Sequence, residues 1–301
     1  MITMSSIHYQ QCPVCGSAKI SKALTAKDYT VSKENFDIWE CAACTGRFTQ
    51  DVPPIEEIGR YYRSEEYISH TETREGIINR MYHSVRKITM RSKQNWVKTA
   101  AGVKTGKLLD IGSGTGAFLH HMKQLGWDVT GLEPDSGARE NAQTLYQLDT
   151  QSMEALFSLA PAQFDCITMW HVLEHVHDLH GYLQQLRTLL KPGGALLIAV
   201  PNYTSTDARI YGGEWAAYDV PRHLYHFSPR CMDILLQRHE LKIVQKYPMV
   251  FDAFYVSLLS EKNSKGGNGL AAGGWNGLRS YWKAWRHVDK CSSIVYEIKP
   301  L

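Results

Sequence analysis

The sequence predicts an α/β fold, a Rossmann-like and mostly parallel sheet with helices on both faces, preceded by a small cysteine-rich module. Three observations carry this prediction. Short apolar runs alternate with helical segments from Lys107 onward; a glycine turn, Gly112-Ser-Gly-Thr-Gly116, joins the first run to the first helix; and two Cys-x-x-Cys pairs stand near the N-terminus. With 301 residues and 44% hydrophobic content, the chain has room for about two domains and a sizeable core. Its 33 Lys+Arg against 30 Asp+Glu leave a net charge of +3, which gives no whole-molecule field of the kind that marks a nucleic-acid binder.

Residues 1–50 form the first zone. Cys12-Pro-Val-Cys15-Gly16 and Cys41-Ala-Ala-Cys44-Thr-Gly46 read as two knuckle-like turns of a zinc-ribbon-like module. The thiolates of Cys12, Cys15, Cys41 and Cys44 can close a tetrahedral sulfur shell around Zn²⁺, and a shell with no open position is structural. The alternative is two redox pairs. The remaining cysteines, Cys166, Cys231 and Cys291, are scattered, and the odd total of seven favours metal over disulfides in a reducing compartment. No basic start and apolar run marks a secretory leader and no stretch matches a membrane span, so the expected location is the cytoplasm.

Residues 51–104 follow a proline break, Asp51-Val-Pro-Pro54, and read as a helical linker or lid. Ile77, Met81, Val85, Ile88, Ser92 and Trp96 recur at mostly helical spacing. A solitary helix is marginal in water, so this stripe is expected to pack on the next domain or to cover a site.

Residues 105–301 carry the alternating pattern. Lys107-Leu-Leu-Asp-Ile111 is the first strand of the domain, with a helix through Gln124 after the glycine turn. Asp128-Val-Thr-Gly-Leu132 is the second, with a helix over 134–144, and Gln147 to Gln151 reads as a short third. Phe164 to Met169 is the fourth, followed by a helix over 179–190. Lys191-Pro-Gly-Gly194 reads as a turn into the fifth strand, Ala195 to Val200. Leu241 to Val250 and Ser293 to Ile298 complete the sheet. Residues 205–230 and 258–290 are read as substrate-side insertions, the latter overlapping a glycine-rich tract at 265–277.

The turn after the first strand has the form Asp110-Ile-Gly112-Ser113-Gly114-Thr-Gly116, and the second strand ends on Glu133-Pro134. Glycines at such a turn let a ligand approach the backbone, and a carboxylate at the second strand end can accept from both ribose hydroxyls of a nucleoside. A nicotinamide fingerprint would space its last glycine one residue further. In these motifs the chain resembles the class I S-adenosylmethionine-dependent methyltransferases, over roughly residues 107–200. The resemblance implies that Asp110, Gly112, Ser113, Gly114 and Gly116 lie along the methionine moiety and that Glu133 and Pro134 border the ribose. It implies further that Ser152 and Met153 flank the adenine and that Trp170 and His171 lie beside the cofactor.

Trp170-His171-Val-Leu-Glu174-His175-Val-His177-Asp178 crowds imidazoles and carboxylates at the carboxyl edge of the sheet, where open α/β folds bind ligands. His171-x-x-Glu174-His175 also fits a metalloprotease pattern, but its place at a strand-to-helix junction outweighs that reading. If a helix starts there, His171, Glu174 and His175 share one face. The bland reading makes His175 and His177 solvated or capping residues.

Trp215-Ala-Ala-Tyr218-Asp219-Val-Pro221-Arg222-His223-Leu-Tyr225-His226-Phe-Ser228-Pro229 lies in a connection too long to be a mere link. Similar Pro-Arg-His-Leu-x-His-Phe segments occur in the ubiquinone-pathway and sugar-methylating branch of these methyltransferases, where they border the acceptor pocket. On this reading His223 or His226, with His175 in reserve, is the general base, while Glu174, Tyr218, Asp219, Arg222 and Tyr225 contact the acceptor. The alternative is that Arg222 and His226 only brace the loop. Ser228-Pro229 reads as a helix start.

Trp275, Leu278, Tyr281, Trp282, Trp285 and Val288, interleaved with Arg279, Lys283, Arg286 and Lys290, could form a helix lying on a membrane surface over 275–290, or could pack over the pocket. The expected function is methyl transfer from S-adenosylmethionine to a hydroxyl or activated carbon of a small quinone-like, sugar or lipid-linked acceptor, with structural Zn²⁺. The alternatives are an RNA methyltransferase gripping phosphate through the zinc module, and a non-catalytic zinc scaffold.

Overall fold

A computed structural model describes residues 6–62, 77–265 and 287–301. The side chains of Ile77, Met81 and Val85 and the 275–290 aromatic stripe, apart from its last residues, lie outside the described residues. Among the described residues no helix is long and apolar enough to cross a membrane.

The N-terminal region supplies β1 (Ile20–Lys27), β2 (Asn35–Cys41) and β3 (Arg47–Thr49), then short helical turns at Ile55–Ile58 and Gly59–Tyr62 and a long helix, α1 (Ile77–Ala101). The main domain follows with β4 (Lys107–Ile111), α2 (Ala117–Gln124), β5 (Asp128–Leu132), α3 (Ser136–Tyr146), β6 (Phe164–Trp170), α4 (Leu179–Leu189) and β7 (Leu190–Pro201). It closes with α5 (Thr206–Tyr211), β8 (Tyr225–His226), α6 (Pro229–Gln237), β9 (Leu241–Pro248), α7 (Val250–Lys265) and β10 (Ser293–Pro300).

The large sheet has the order β5-β4-β6-β7-β10-β9. Its first four strands are parallel and β10 runs antiparallel to both neighbours. The central strands read as unbroken apolar runs because both faces are covered. Leu109, Ile111, Ile167, Met169, Leu196 and Ile198 share one core with Leu183, Leu186 and Leu189 of α4 and Met232 and Leu235 of α6. Leu108, Cys166, Ala195, Leu197 and Ala199 point the other way, onto α1 and α2. Asp135, Asp178 and Ser228 cap α3, α4 and α6 by accepting from backbone N–H groups, and Pro229 opens α6 as its sequence requires.

One local expectation changes. Gln147 to Gln151 does not form a strand: Gln151 alone bridges to Leu132, and the rest runs irregularly beside β5. Lys191-Pro-Gly-Gly194 makes its turn inside β7: Leu190 pairs with Phe164 and Ala195 with Cys166, so the four residues between them bulge out of the ladder, with Gly193 at φ +81°. On α1 Val97 and Ala100 are buried, Trp96 packs onto Trp170 and Tyr247, and Ile88 is exposed.

The N-terminal module does not stand alone. Its sheet has the order β1-β2-β3-β8, so the loop of residues 205–230 contributes the fourth strand, pairing Arg47 with His226 and Phe48 with Tyr225. Val14, Phe48 and Val52 share one core with Phe227, Cys231 and Met232. A second cluster joins Ala26 and Ile38 of the module to Tyr211, Trp215, Tyr218 and Val220 of the loop.

Arg222 locks this seam. It is 1% exposed and donates to Asp219 through both Nε and Nη2, to Asp28 Oδ1 at 3.0 Å, and to the Tyr61 carbonyl at 2.8 Å. Asp28, held below the usual carboxylate range with a pKa of about 2, is buried as it is, so burial opposes its charge and Arg222 with the Ser32 and Val31 N–H groups outweighs that. Removing one partner of such a pair strands a buried charge at a cost of about 3–5 kcal/mol. Arg222→Ala is therefore expected to lower the unfolding free energy by about that amount in urea titrations followed by circular dichroism, and Arg222→Lys, which cannot reproduce the fork, should recover little of it. A loss below about 1 kcal/mol would show that the seam is held elsewhere.

Candidate active site

The glycine turn leaves β4 with Gly112, Gly114 and Gly116 all at positive φ. At Gly112 a side chain is excluded twice over: φ is +70°, and a Cβ would lie 2.4 Å from Val172 Cγ2. The turn thereby brings its backbone against the end of β6. Glu133, at the end of β5, reaches across to it, its Oε2 accepting from Gly114 N at 2.8 Å and its Oε1 from Asp135 N at 3.1 Å. Burial raises the Glu133 pKa against these two donors.

Asp110 is 1% exposed and accepts a 2.6 Å hydrogen bond from Thr168 Oγ1. Burial pushes its pKa up to about 7, with Thr168 and Lys93 working against the shift and Glu133 adding to it. Lys93, on α1, lies 4.3 Å above the Trp170 ring and 5.6 Å from Phe118, drawn toward Asp110 and Asp252 while burial lowers its pKa. Ser113 Oγ, Thr150 Oγ1 and Trp170 Nε1 are buried around this region without hydrogen-bond partners among the described residues. A polar group buried and unsatisfied is costly, so three at one sheet edge fit a polar ligand that would complete them. Ser152 begins the short helical turn Met153–Ser158, and Pro134 directly follows Glu133. Both flank the same edge.

Beyond β6 the expected single helical face does not form. Leu173–His175 is one tight turn and α4 starts only at Leu179, so His171 and His175 part company. His171, at φ +60°, places Nε2 2.9 Å from Asp252 Oδ2 and Nδ1 3.4 Å from Glu174 Oε1. Burial works against a charged ring here, but the two carboxylates outweigh it and raise the pKa to about 10.

His175 turns the other way. Its Nδ1 is 3.0 Å from both the Arg222 carbonyl and Tyr62 Oη, and its ring meets His223 edge-on with centroids 4.5 Å apart. A carbonyl only accepts, so Nδ1 carries the proton and Nε2 the lone pair. The same logic applies to His223, whose Nδ1 donates to the Ala217 carbonyl at 2.9 Å. Glu174, fully buried, has neither oxygen hydrogen-bonded among the described residues. A donor atom of Glu174, one of His175 and one of His223 lie within 4.8 Å of one another. Burial, then the neighbouring His223, lowers the His175 pKa to about 4, so that ring is neutral at pH 7. Two imidazole lone pairs and a carboxylate on one spot can accept a proton from an acidic hydroxyl or hold a cation.

Other expected site residues are spent on the protein. His226 is 3% exposed, packs edge-on against Tyr218, and meets Thr49 Oγ1 at 3.1 Å. Thr49 already donates its proton to the His223 carbonyl at 2.7 Å, so His226 Nε2 must be the donor, and that nitrogen is taken up by Thr49. Tyr218 Oη accepts from Arg47, and Tyr225 donates to the His177 carbonyl at 3.2 Å. With Arg222, these expected acceptor contacts are corrected to braces of the seam; Asp219, which anchors Arg222 and lies 3.9 Å from His223 Nε2, is both brace and neighbour of the site. His177 holds the Pro53 carbonyl at 3.1 Å.

Sequence reasoning missed Lys93, Thr150, Tyr62, Thr49 and Asp252. Lys93 was accessible in principle, since 93, 97 and 100 form one helical stripe; the others depend on contacts between distant segments. At the metal motif, Cys12 and Cys44 sulfurs are 3.6 Å apart, as are those of Cys15 and Cys41, and all four lie within 4.8 Å of one another.

The raised pKa of His171 has a stability consequence. Its charged form is favoured by folding, so the contribution is complete below the unfolded value of about 6.5 and is lost as pH climbs through about 10. The melting temperature of His171→Gln should fall furthest below wild type near pH 6 and converge on it by pH 10. A gap independent of pH over that range would show that the ring is not charged in the fold.

A family model for the methyltransferase domain matches residues 84–246. The chain is 32% identical over 144 residues to a ubiquinone biosynthesis O-methyltransferase of Albidiferax ferrireducens, covering 44% of this chain and 57% of that one. It is 32% identical over 143 residues to the protein of the same name from Stutzerimonas stutzeri, covering 44% and 62%. The matched stretch thus spans less than two thirds of these relatives. A solved structure of a candidate sarcosine dimethylglycine methyltransferase from Galdieria sulphuraria superposes with a TM-score of 0.50 at 15% identity, covering 71% of this chain and 86% of that one, and shares the fold. The glycine turn against β6, the carboxylate at the end of β5 and the antiparallel β10 all fall in this frame, and the chain belongs to the class I S-adenosylmethionine-dependent methyltransferases.

Proposed function

We propose that this protein transfers a methyl group to a hydroxyl of a small-molecule acceptor, with His223 as the general base. The observation that carries the reading is the convergence of Glu174, His175 and His223 just beyond the carboxyl end of β6, the strand that ends on Trp170 with its unsatisfied Nε1. S-adenosylmethionine, when bound, supplies the methyl group as an electrophile on its sulfonium. Asp110, Gly112, Ser113, Gly114, Gly116 and Glu133 would hold it, with Lys93 as the cation available to a carboxylate.

The chain's own residues then have three tasks. The glycine turn and Glu133 fix position, which is the large term in a reaction whose electrophile is already reactive. His223 Nε2 takes the acceptor proton, its Nδ1–H pinned to the Ala217 carbonyl so that the basic nitrogen faces the cluster. Glu174, buried beside His175 and His223 and ion-paired with His171, stabilises the imidazolium that results. Relatives named ubiquinone biosynthesis O-methyltransferase support a hydroxyl as the acceptor.

We further infer that Cys12, Cys15, Cys41 and Cys44 hold a structural Zn²⁺. Zn–S bonds of about 2.3 Å give a tetrahedron with edges of roughly 3.8 Å, and the Cys12–Cys44 and Cys15–Cys41 separations of 3.6 Å fit it.

Single-turnover assays against phenolic and sugar hydroxyl acceptors, with S-adenosylmethionine saturating, test the assignment. His223→Gln is expected to slow methyl transfer by about 10²–10⁴-fold without weakening cofactor binding. His226→Gln, which loses only a buried brace, should retain the rate to within about tenfold while lowering stability. A His223→Gln protein as fast as wild type would exclude the base.

A further inference from the structure

A fifth thiol stands at the four-cysteine centre. Cys231 lies in the first turn of α6, far along the chain from the knuckles, and is fully buried. Its sulfur lies on the same side of Gly46 as that of Cys44. The packing shows how the contact is made: a Cβ at Gly46 would fall 2.6 Å from Cys231 Sγ and 3.3 Å from Cys44 Sγ, so only glycine leaves both sulfurs their place. Cys44 Sγ also accepts from Gly46 N at 3.3 Å.

The surroundings bind the same two segments together. Thr45 Oγ1 and Ser228 Oγ are 2.8 Å apart, Arg230 donates to the Ala43 carbonyl at 3.2 Å, and Arg238 donates to the Cys15 carbonyl at 3.0 Å. Ser228 in turn accepts from Cys231 N at 3.0 Å as the cap of α6. The second knuckle is thus seated on the N-terminal end of α6, directly after the strand that carries His226.

Four thiolates around a divalent ion leave two net negative charges in a buried place, and such centres depend on donors to their sulfurs. Cys44 is one of the deeply buried ligand sulfurs; the Gly46 N–H donates to it, and the Cys231 thiol is the further donor group packed beside it. We propose that Cys231 is an outer-sphere partner of the zinc centre, a fifth thiol that does not ligate but donates its S–H to the Cys44 thiolate and so couples the metal to α6. This rests on the zinc reading above.

The test uses the full-length protein with zinc and, in parallel, with Co²⁺ in its place. Wild type, Cys231→Ala, Cys231→Ser and Gly46→Ala are compared by the thiolate-to-cobalt charge-transfer band, which counts sulfur ligands, and by competition with a chromogenic chelator. Cys231→Ala should keep the four-thiolate band and hold metal about tenfold more weakly. Cys231→Ser, which retains a donor, should stay close to wild type, and Gly46→Ala, which forces the sulfurs apart, should resemble Cys231→Ala. A band reduced by a quarter in Cys231→Ala would make Cys231 a ligand and overturn the proposal. Unchanged chelator competition in both Cys231→Ala and Gly46→Ala, or a serine variant as weak as alanine, would also overturn it while leaving the zinc reading intact. A wild-type protein that binds no metal would remove the zinc reading itself, and this inference with it.

Discussion

One hydroxyl, on Thr49, serves two histidines of the long loop at once. It gives its proton to the His223 carbonyl and accepts from His226 Nε2, and it does so from the last residue of β3, only a few positions after the second knuckle. Because a hydroxyl has a single proton, the direction of both bonds is fixed together, and with it the tautomer of His226 and the backbone of His223. The pairing of Arg47 with His226 and Phe48 with Tyr225 extends this clamp into a short ladder, and the Arg222 fork closes its far side on Asp28. The cysteine module therefore acts as a wall of the site. The loop that bears His223 is paired with a segment that precedes it by more than the whole nucleotide-binding half of the domain.

The electrostatics of the pocket divide along β6. On one side, Asp110, Glu133 and Lys93 are buried charges waiting for each other and for a ligand: Asp110 rises to a pKa of about 7 and Lys93 falls, both chiefly because burial disfavours charge. On the other side, burial and the neighbouring imidazole keep His175 neutral. His171 stands between, holding a proton that Asp252 and Glu174 share electrostatically. Asp252 belongs to α7, so this ion pair also ties that helix to the end of β6. Pushing neighbouring groups toward opposite protonation states is what lets one site grip a cation and accept a proton near neutrality.

Much of this was legible before the fold was in view. β4, β5 and β6 begin where their apolar runs begin, the caps Ser228 and Asp178 act as their residue types require, and Gly114 and Glu133 meet as strand-turn-helix-strand logic demands. Such features are local, set by a few adjacent residues. What sequence could not order was the seam. Tyr218, Arg222, Tyr225 and His226 carry chemistry suited to a ligand, yet each finds its partner in the protein, because the β3–β8 pairing turns that side of the loop inward. Nothing in the spacing of polar residues tells a brace from a binding group. The decisive contacts, Thr49 to His223 and Tyr62 to His175, join segments more than a hundred residues apart.

The glycine turn and Glu133 are the proposed seat of the sulfonium nucleoside. Isothermal titration of S-adenosylhomocysteine into wild type and Glu133→Ala measures this directly. A charged carboxylate accepting from ribose is worth about 1.5–3 kcal/mol, so wild type should bind with one site per chain and the variant about ten- to a hundredfold more weakly. Equal affinities in the two folded proteins, or no heat in either, would contradict it.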